Sequence, residues 1–251
     1  DLDKLALSTE KLLAGTDSEI TTVGYYCNPI QYAEHRKTLE NVICTAGKFG
    51  ATHVSTFAGA WEGKPVESAY EEFGKVFREL ADLAEEKGVK LGIENCLMDG
   101  TWEHATCNIG FNPKAWEVMF EEVKNDNFGL EWEPTHQMVQ LIDPVTELRK
   151  WCKKIVHIHG KDATIDWDAV RHSGISGAVP FVWHRMPGFG DTNWRDIISI
   201  LRSNGYEDDI CIEGYHDPVY SGELEMTGQL HALNYLKWCR GGDFTPTPWA
   251  K

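Results

Sequence analysis

Side chains that bind metals or move protons recur at the ends of four short apolar segments of this 251-residue chain. They are Glu94, then Glu131, Glu133 and His136, then His157, His159, Lys161 and Asp162, and finally Glu213, His216 and Asp217. Carboxylates from three segments and one imidazole would form an oxygen-rich site with a single nitrogen ligand. Such a donor set suits Mn²⁺ or Mg²⁺ and tolerates Co²⁺ or Zn²⁺, so we expect one divalent metal ion as the cofactor.

Each of these residues also has an ordinary structural interpretation. A single Glu at a strand end is more often solvated or helix-capping than a ligand, but here the pattern recurs on four segments. Alternation along a strand places Glu131 and Glu133 on one face, where two inward carboxylates need a cation or a shifted pKa. His157 alone is better interpreted as a packed or hydrogen-bonded histidine. For Lys161 and Asp162 two interpretations are left open, a functional pair and a surface ion pair.

The chemistry open to such a site is proton transfer next to a carbonyl. A divalent ion that chelates a ketone oxygen and the neighbouring hydroxyl acidifies the α-proton. Glu94 and Glu213 could remove and return that proton from opposite faces, with Lys161 as a third acid–base group or an oxyanion stabiliser. Return from the far side is epimerisation, return to the adjacent carbon is isomerisation, and loss of a β-substituent is dehydration or lyase chemistry. The same residues serve all three reactions.

Alternating strands and helices are expected to carry these residues. The predicted strands are 19–26, 52–57, 90–95, 128–133, 154–159, 179–184 and 209–214. Helices are predicted at 2–13, 69–87 and 193–204, the second from the helical spacing of its apolar residues and the last with its N-terminal cap at Asp191-Thr192. This order predicts an α/β fold with a parallel sheet, namely a (β/α)8 TIM barrel. With seven strands in view, the first strand of the barrel either precedes residue 1 or is not recognised. An open nucleotide-binding sheet should show G-x-G-x-x-G after its first strand, and none is present.

Composition narrows the classes of partner. Lys and Arg number 24 against 39 Asp and Glu, and the resulting net charge of -15 argues against binding along a nucleic acid. No apolar run approaches the ~20 residues of a membrane-spanning helix, and no signal peptide is visible. Seven cysteines without a C-x-x-C pair indicate reduced thiols and a cytoplasmic location. We expect one domain over 1–251 that acts on a small molecule, with neither a nucleic-acid nor a membrane partner.

The motifs, in their order and spacing, resemble the xylose isomerase-like TIM barrels, also called sugar phosphate isomerase/epimerases. The resemblance spans about residues 21–238 and rests on I-E-N at 93–95, G-L-x-x-E-P-x-H at 129–136, H-x-H-x-K-D at 157–162, P-G-x-G-D-x-x-W at 187–194, G-Y at 205–206 and I-E-G at 212–214. Ketose 3-epimerases, inosose isomerases and dehydratases, and endonuclease IV-type repair enzymes share this fold. The resemblance therefore implies a metal-dependent isomerase or epimerase acting on a sugar, with a dehydratase or lyase as the alternative.

The resemblance also assigns roles to individual residues. The implied metal ligands are Glu94, Glu133, His159 and Glu213. The family usually has Asp where this chain has Glu133, so the longer side chain needs a backbone that sits back or an ion that shifts. Glu131 then lies deeper in the barrel. The implied substrate contacts are His136, which matches a histidine of the epimerases, His184 and Arg185 before P-G-x-G, Trp183 beside them, and Asn28 after the first visible strand.

Other branches of the family fit less well. The repair enzymes need extra histidines and an Asp-x-His pair, whereas the loop at 182–184 lacks the Asp and the early strands offer only His53. A barrel that had kept the fold and lost its chemistry is expected to lose metal ligands first, and all four positions here carry competent side chains. A homo-oligomer and a lyase that needs a partner subunit both remain open.

Overall fold

Strands and helices alternate along the chain in the computed structural model, which describes residues 1–242 and 245–247. The strands are β1 (Thr22–Gly24), β2 (His53–Thr56), β3 (Lys90–Glu94), β4 (Phe128–Trp132), β5 (Ile155–Gly160), β6 (Asp162–Ile165), β7 (Val182–Arg185) and β8 (Ile210–Ile212). The helices are α1 (Leu2–Leu13), α2 (Ala33–Thr45), α3 (Tyr70–Glu86), α4 (Pro113–Glu122), α5 (Pro134–Met138), α6 (Pro144–Trp151), α7 (Trp167–Ser173), α8 (Trp194–Ser203) and α9 (Glu225–Arg240). Short 3₁₀ turns occur at Ala46–Phe49, Val66–Ala69, Cys152–Lys154 and Gly222–Leu224.

Within this described part, six strands form one sheet in the order β1-β2-β3-β4-β5-β8. Pairing is parallel from β1 through β5, and the register places Glu94 opposite Glu131 and Glu131 opposite His157. A register shift between Leu130 and Glu131 marks an irregularity in β4. Six of the seven predicted strands overlap strands of this sheet.

The predicted strand at 179–184 is the exception. The structure forms β7 there, and β7 pairs antiparallel with β6 in a separate two-stranded sheet, with Asp162 opposite Arg185 and Ile165 opposite Val182. Only Lys161 separates β5 from β6, so β6 cannot be a parallel neighbour of β5, which would need a crossover of a dozen or more residues. After β5 the chain instead forms an antiparallel ribbon, in which β7 returns along β6. The expectation of a parallel strand here was wrong, and β6 was not predicted.

The described residues pack as two compact units. The first consists of Asp1–Gln137, Lys153–Ile158 and Asp208–Ile210, and the second of Met138–Cys152, His159–Glu207 and the described residues from Cys211 onward. The expectation of one domain over 1–251 stays a prediction, and its residues 243–244 and 248–251 lie outside the described residues.

Aromatic packing between α3 and β4 forms much of the core of the first unit. Phe73 and Phe77 stack with ring centroids 4.6 Å apart, and both contact Phe128 at 6.2 and 6.0 Å. The sequence predicted α3 from the helical spacing of its apolar residues. This spacing places both phenyl rings on the same face of the helix. Burial of each phenyl ring contributes about 1.5–3 kcal/mol.

The core of the second unit includes the buried face of α8, which carries Trp194, Ile197 and Leu201. The N-terminal cap of α8 is Asn193, whose side chain accepts from the backbone N–H of Asp196 at 3.2 Å. The predicted cap at Asp191-Thr192 was therefore too early. Among the described residues, no helix combines the length and the apolar character needed to cross a membrane.

Candidate active site

In the first unit, Asn95 fixes the ends of two neighbouring strands that carry candidate ligands. Its amide nitrogen donates to the backbone carbonyl of Glu133 at 2.9 Å, and its amide oxygen accepts from the Glu133 N–H at 2.7 Å. Glu94, the residue before Asn95, ends β3 and is 7% exposed, whereas Glu133 directly follows β4 and is fully buried. The I-E-N motif therefore combines a carboxylate with an amide that aligns β3 with β4.

A second amide stabilises the backbone after β3. Asn108 donates through Nδ2 to the carbonyls of Glu94 at 2.9 Å and Cys96 at 2.8 Å. Its Oδ1 accepts from the backbone N–H of Ala58 at 2.9 Å. Asn108 is completely buried. No motif surrounds Asn108, so the sequence alone gives no indication of its role.

His136 lies beside Glu133 on the first turn of α5. Its Nε2 is 3.4 Å from Glu133 Oε1, and its side chain is 10% exposed. Pro134 starts α5 directly after Glu133, and this helical turn brings the i and i+3 side chains together. The E-P-x-H spacing thus places an imidazole against the carboxylate.

Glu131 is a buried carboxylate with a hydrogen-bonding side chain at each of its two oxygens. Its Oε1 is 2.8 Å from His157 Nδ1, and its Oε2 accepts from the Tyr26 hydroxyl at 2.8 Å. Glu131 on β4 and His157 on β5 are both buried. His157 is therefore the hydrogen-bonded histidine that the sequence suggested. The ring of His53 lies 5.8 Å from that of His157, and burial lowers the pKa of His53 although the charge of Asp208 opposes this.

In the second unit, the predicted catalytic residue Lys161 and the predicted metal ligand His159 both lie against the carboxylate of Glu213, which directly follows β8. Lys161 Nζ donates to Glu213 Oε1 at 2.9 Å, and His159 Nδ1 lies 3.2 Å from Glu213 Oε2. The Glu213 N–H donates to the carbonyl of Gly160 at 3.1 Å, which joins β8 to the end of β5. The Lys161 side chain is only 3% exposed, so the alternative of a surface ion pair with Asp162 was wrong.

Asp162 instead holds the turn that carries the P-G-x-G-D motif. Its Oδ1 accepts from the N–H groups of Thr192 and Ala163, both at 2.9 Å, and its Oδ2 accepts from Gly188 at 3.0 Å. Burial raises the pKa of Asp162, and these hydrogen bonds oppose the increase. A Cβ at Gly190 would overlap the Asp162 carboxylate, which explains the second glycine of the motif.

The other predicted substrate contacts of the second unit lie on β7. Arg185 Nε donates to Asp217 Oδ2 at 3.3 Å, the His184 ring lies 5.6 Å from the His216 ring, and Trp183 is 44% exposed. Burial opposes ionisation of Asp217. Backbone N–H donors and the Arg185 guanidinium nevertheless hold its pKa below the usual value.

Asn28, the predicted contact in the first unit, connects two loops. Its Oδ1 accepts from the N–H groups of Ala60 at 3.0 Å and Gln31 at 3.2 Å, and its Nδ2 donates to the Ala60 carbonyl at 2.9 Å. The residue is 2% exposed. A direct role for Asn28 in substrate binding stays a prediction.

The model of the xylose isomerase-like TIM barrel family matches residues 3–237. The chain belongs to this family. The predicted (β/α)8 TIM-barrel fold class and the suspected family are thereby confirmed. The family is consistent with the position of the candidate ligands, because TIM barrels build their sites at the C-terminal ends of the strands.

Two curated relatives of this TIM-barrel chain are inosose dehydratases. The Clostridium tetani enzyme is 26% identical over 182 residues, which cover 70% of this chain and 57% of that enzyme. The enzyme of Clostridium perfringens strain ATCC 13124 is 22% identical over 227 residues, which cover 87% of this chain and 73% of that enzyme. The chain thus spans little more than half the length of the Clostridium tetani relative.

Solved structures share the fold at low sequence identity. A xylose isomerase domain protein from Planctomyces limnophilus has a TM-score of 0.73 and 17% identity, covering 95% of this chain and 83% of that one. The IOLI protein with a binding zinc atom has a TM-score of 0.66 and 21% identity, covering 95% and 80%. D-psicose 3-epimerase in the presence of D-fructose has a TM-score of 0.69 and 16% identity, covering 96% and 84%.

Proposed function

We propose that this protein is a divalent-metal-dependent enzyme that removes a proton next to the carbonyl of an inosose or a related keto-sugar. The observation that carries the proposal is that Glu94, Glu133, His159 and Glu213 each stand at or directly after the C-terminal end of a strand in one sheet. In a TIM barrel these strand ends form the active-site face. Membership of a family whose relatives act on inososes supports the class of substrate.

The donor set fits a divalent metal ion. Three carboxylates and one imidazole, contributed by Glu94, Glu133, Glu213 and His159, match the oxygen-rich preference of Mn²⁺ and Mg²⁺ and tolerate Co²⁺ and Zn²⁺. The full burial of Glu133 supports the assignment, since a buried carboxylate must be stabilised by a cation or by hydrogen bonds, and a bound metal ion would supply the cation. When bound, the cation would act as a Lewis acid on the substrate carbonyl and acidify the neighbouring C–H group.

Glu94 and Glu213 are the proposed proton-transfer groups. Lys161 donates a hydrogen bond to one oxygen of the Glu213 carboxylate, and the His159 ring lies 3.2 Å from the other, so both neighbours restrict the direction of that carboxylate. The hydrogen bond from the Asn108 side chain to the Glu94 backbone carbonyl fixes the end of β3. The Glu94 side chain therefore projects from a fixed point of the backbone. Rigid placement of this kind is what efficient proton transfer requires.

Dehydration is the outcome that the curated relatives favour. Loss of water from an inosose needs an acid for the departing hydroxyl, and His136 or Lys161 could supply that proton. Epimerisation is the second candidate. It is supported by the presence of two carboxylates, Glu94 and Glu213, on or next to separate strands, because epimerisation needs a base that removes the proton on one face and an acid that returns a proton on the other.

The decisive experiment incubates the metal-loaded protein with an inosose and with a panel of ketoses in deuterated water. Mass spectrometry distinguishes loss of water from deuterium uptake without loss, and chromatography identifies an epimer. Water loss from the inosose would support the dehydratase, and deuterium uptake with a new epimer would support the second candidate. Two results would contradict the proposal and favour a barrel that only binds ligands. One is a protein that binds no metal, and the other is a protein with stoichiometric metal that causes neither water loss nor deuterium uptake in any of the tested sugars.

A further inference from the structure

A cleft of about 420 Å³ in the second unit is lined by none of the residues proposed above as ligands or proton-transfer groups. Its lining consists of Met138, Leu141, Ile142, Asp143, Pro144, Val145, Ile165, Trp167, Asp191, Thr192 and Asn193. The cleft is thus formed by the segments that begin α6, α7 and α8. Its volume falls in the roughly 300–1,000 Å³ range of small-molecule sites.

One wall of the cleft is apolar and includes an indole. Ile142, Val145 and Ile165 supply aliphatic surface, and Trp167 is 50% exposed. Trp167 is the first residue of α7, which Asp166 caps by accepting from the Ala169 N–H at 2.8 Å. The cap holds the backbone that carries the indole. A half-exposed indole beside aliphatic side chains provides a flat apolar surface on which a ligand can stack.

The polar part of the lining is held in place by the protein itself. Asp143 Oδ1 accepts from the Thr146 N–H at 2.6 Å, Asp191 Oδ2 from Ile165 at 2.8 Å, and Asn193 Oδ1 from Asp196 at 3.2 Å. Each bond uses one polar atom of the side chain. Among the described residues, Asp143 Oδ2, Asp191 Oδ1 and Asn193 Nδ2 make no hydrogen bond, so two acceptors and one donor are available to a ligand.

We propose that this cleft binds an uncharged saccharide or polyol. A hydroxyl group both donates and accepts, so a polyol can satisfy the two carboxylate oxygens and the amide N–H of Asn193 together. A sugar ring also presents an apolar C–H face that matches the indole of Trp167. The carboxylates of Asp143 and Asp191 repel anions, and no Lys or Arg lies in the lining to offset them. An organic cation would pair with the carboxylates but would make no use of the Asn193 amide N–H.

Saturation-transfer NMR on the full chain tests the proposal. The protein is stripped of metal with EDTA, because this cleft needs no metal whereas the proposed catalytic site does. The probes are maltose and myo-inositol, with tetramethylammonium chloride as the organic cation. We expect saturable transfer to the ring C–H protons of at least one polyol. Trp167→Ala should weaken its affinity about tenfold, equivalent to ~1.4 kcal/mol, and Asp191→Asn should also weaken it.

The matched control is Trp238→Ala, which removes another exposed indole of the same unit from outside the cleft. It should bind the polyol like the wild type. Trp167→Phe keeps an aromatic face and should retain part of the affinity, which separates lost stacking from misfolding, and the thermal midpoint of each variant checks the fold. Equal polyol affinity in Trp167→Ala, absence of saturable transfer, or selective binding of tetramethylammonium would each overturn the proposal. A protein without catalytic turnover at the proposed active site could still bind a polyol in this cleft, and the converse also holds. The two proposals can therefore fail independently.

Discussion

The buried carboxylate of Asp162 accepts a hydrogen bond from the backbone N–H of Thr192 at 2.9 Å, across 29 intervening residues of chain. The same side chain accepts from Gly188 at 3.0 Å. These bonds fasten the glycine-containing turn to the start of β6, one residue after Lys161. The H-x-H-x-K-D and P-G-x-G-D motifs are therefore two halves of one hydrogen-bonded structure that sets the backbone from which Lys161 reaches Glu213.

Asp162→Asn should lower the free energy of unfolding by ~1–3 kcal/mol. An amide has only one acceptor oxygen, so at least one of the N–H groups of Gly188 and Thr192 would face another donor. Urea unfolding followed by circular dichroism measures the change. Asp168→Asn is the control, since the Asp168 side chain is 95% exposed, and its effect should stay within about 0.5 kcal/mol. Equal stability of the two variants would contradict this role for Asp162.

Tyr26→Phe should also destabilise the protein. The Tyr26 hydroxyl donates to Glu131 Oε2 at 2.8 Å, and Glu131 is fully buried. Loss of a hydrogen bond to a buried charged acceptor costs about 1.5–3 kcal/mol. The same urea experiment measures this change. Tyr25→Phe is the control, because the Tyr25 hydroxyl makes no hydrogen bond among the described residues, and a similar loss in both variants would refute the prediction.

The sequence predicted the parallel strands well because their apolar runs are buried on both faces. The runs at 90–95 and 128–133 became β3 and β4, which lie next to each other with Glu94 opposite Glu131. Burial on both faces leaves a continuous apolar signal that survives in the sequence. The carboxylates at the strand ends interrupt that signal, which is why the candidate site was also visible.

The ribbon of β6 and β7 carried a weaker signal, since the run at 179–184 predicted a strand but neither β6 nor the antiparallel pairing was indicated. Its strands are partly exposed, and Asp162 at the start of β6 reads as a polar loop residue when its backbone partners are unknown. Those partners, Gly188 and Thr192, come from a distant turn. Asn108 was missed for the same reason, since an isolated Asn gives no indication of the carbonyls that it will contact. Contacts between segments far apart in the chain are what a single sequence leaves undetermined.

The stability of the protein should depend on pH through the ionisation of the Asp217 carboxylate. Backbone donors and Arg185 hold its pKa below the ordinary 3.8 despite its burial. A carboxylate with a depressed folded-state pKa stabilises the fold above its unfolded-state pKa, and that stabilisation is lost as pH falls through the folded-state value. Asp217→Asn should therefore lower the thermal midpoint most at neutral pH, and the difference from wild type should shrink below pH 3.8.

The control for the pH dependence of the thermal midpoint is Asp126→Asn. Asp126→Asn alters an exposed carboxylate that makes no hydrogen bond among the described residues, so its difference from wild type should stay small across the pH range. A difference for Asp217→Asn that is constant with pH would show that the lost geometry, and not the ionised carboxylate, stabilises the loop.

Shortening Glu133 should preserve metal binding, whereas truncation should abolish most of it. Glu133→Asp keeps a carboxylate in the position where the family usually has Asp. Glu133→Ala should weaken metal affinity by at least about 100-fold, the upper end of what losing an outer-shell partner costs. Isothermal titration of the metal-free protein with Mn²⁺ measures the affinity. Glu121→Ala, on the exposed end of α4, is expected to bind like wild type. Wild-type affinity in Glu133→Ala would remove Glu133 from the ligand set.

Glu94→Gln and Glu213→Gln should bind substrate yet turn it over about 10²–10⁴-fold more slowly, the range that general acid–base catalysis contributes. Gln keeps the shape of the side chain and a carbonyl ligand but cannot accept a proton. The measurement is substrate turnover together with exchange of the α-proton in deuterated water, at metal concentrations that saturate each variant. At least one variant should stop exchanging that proton. Glu223→Gln, an exposed residue of the 3₁₀ turn before α9, should behave like wild type. If both variants still exchange at the wild-type rate, neither carboxylate is the base, and the proton must be moved by another group, of which buried Lys161 at 2.9 Å from Glu213 is the next to replace.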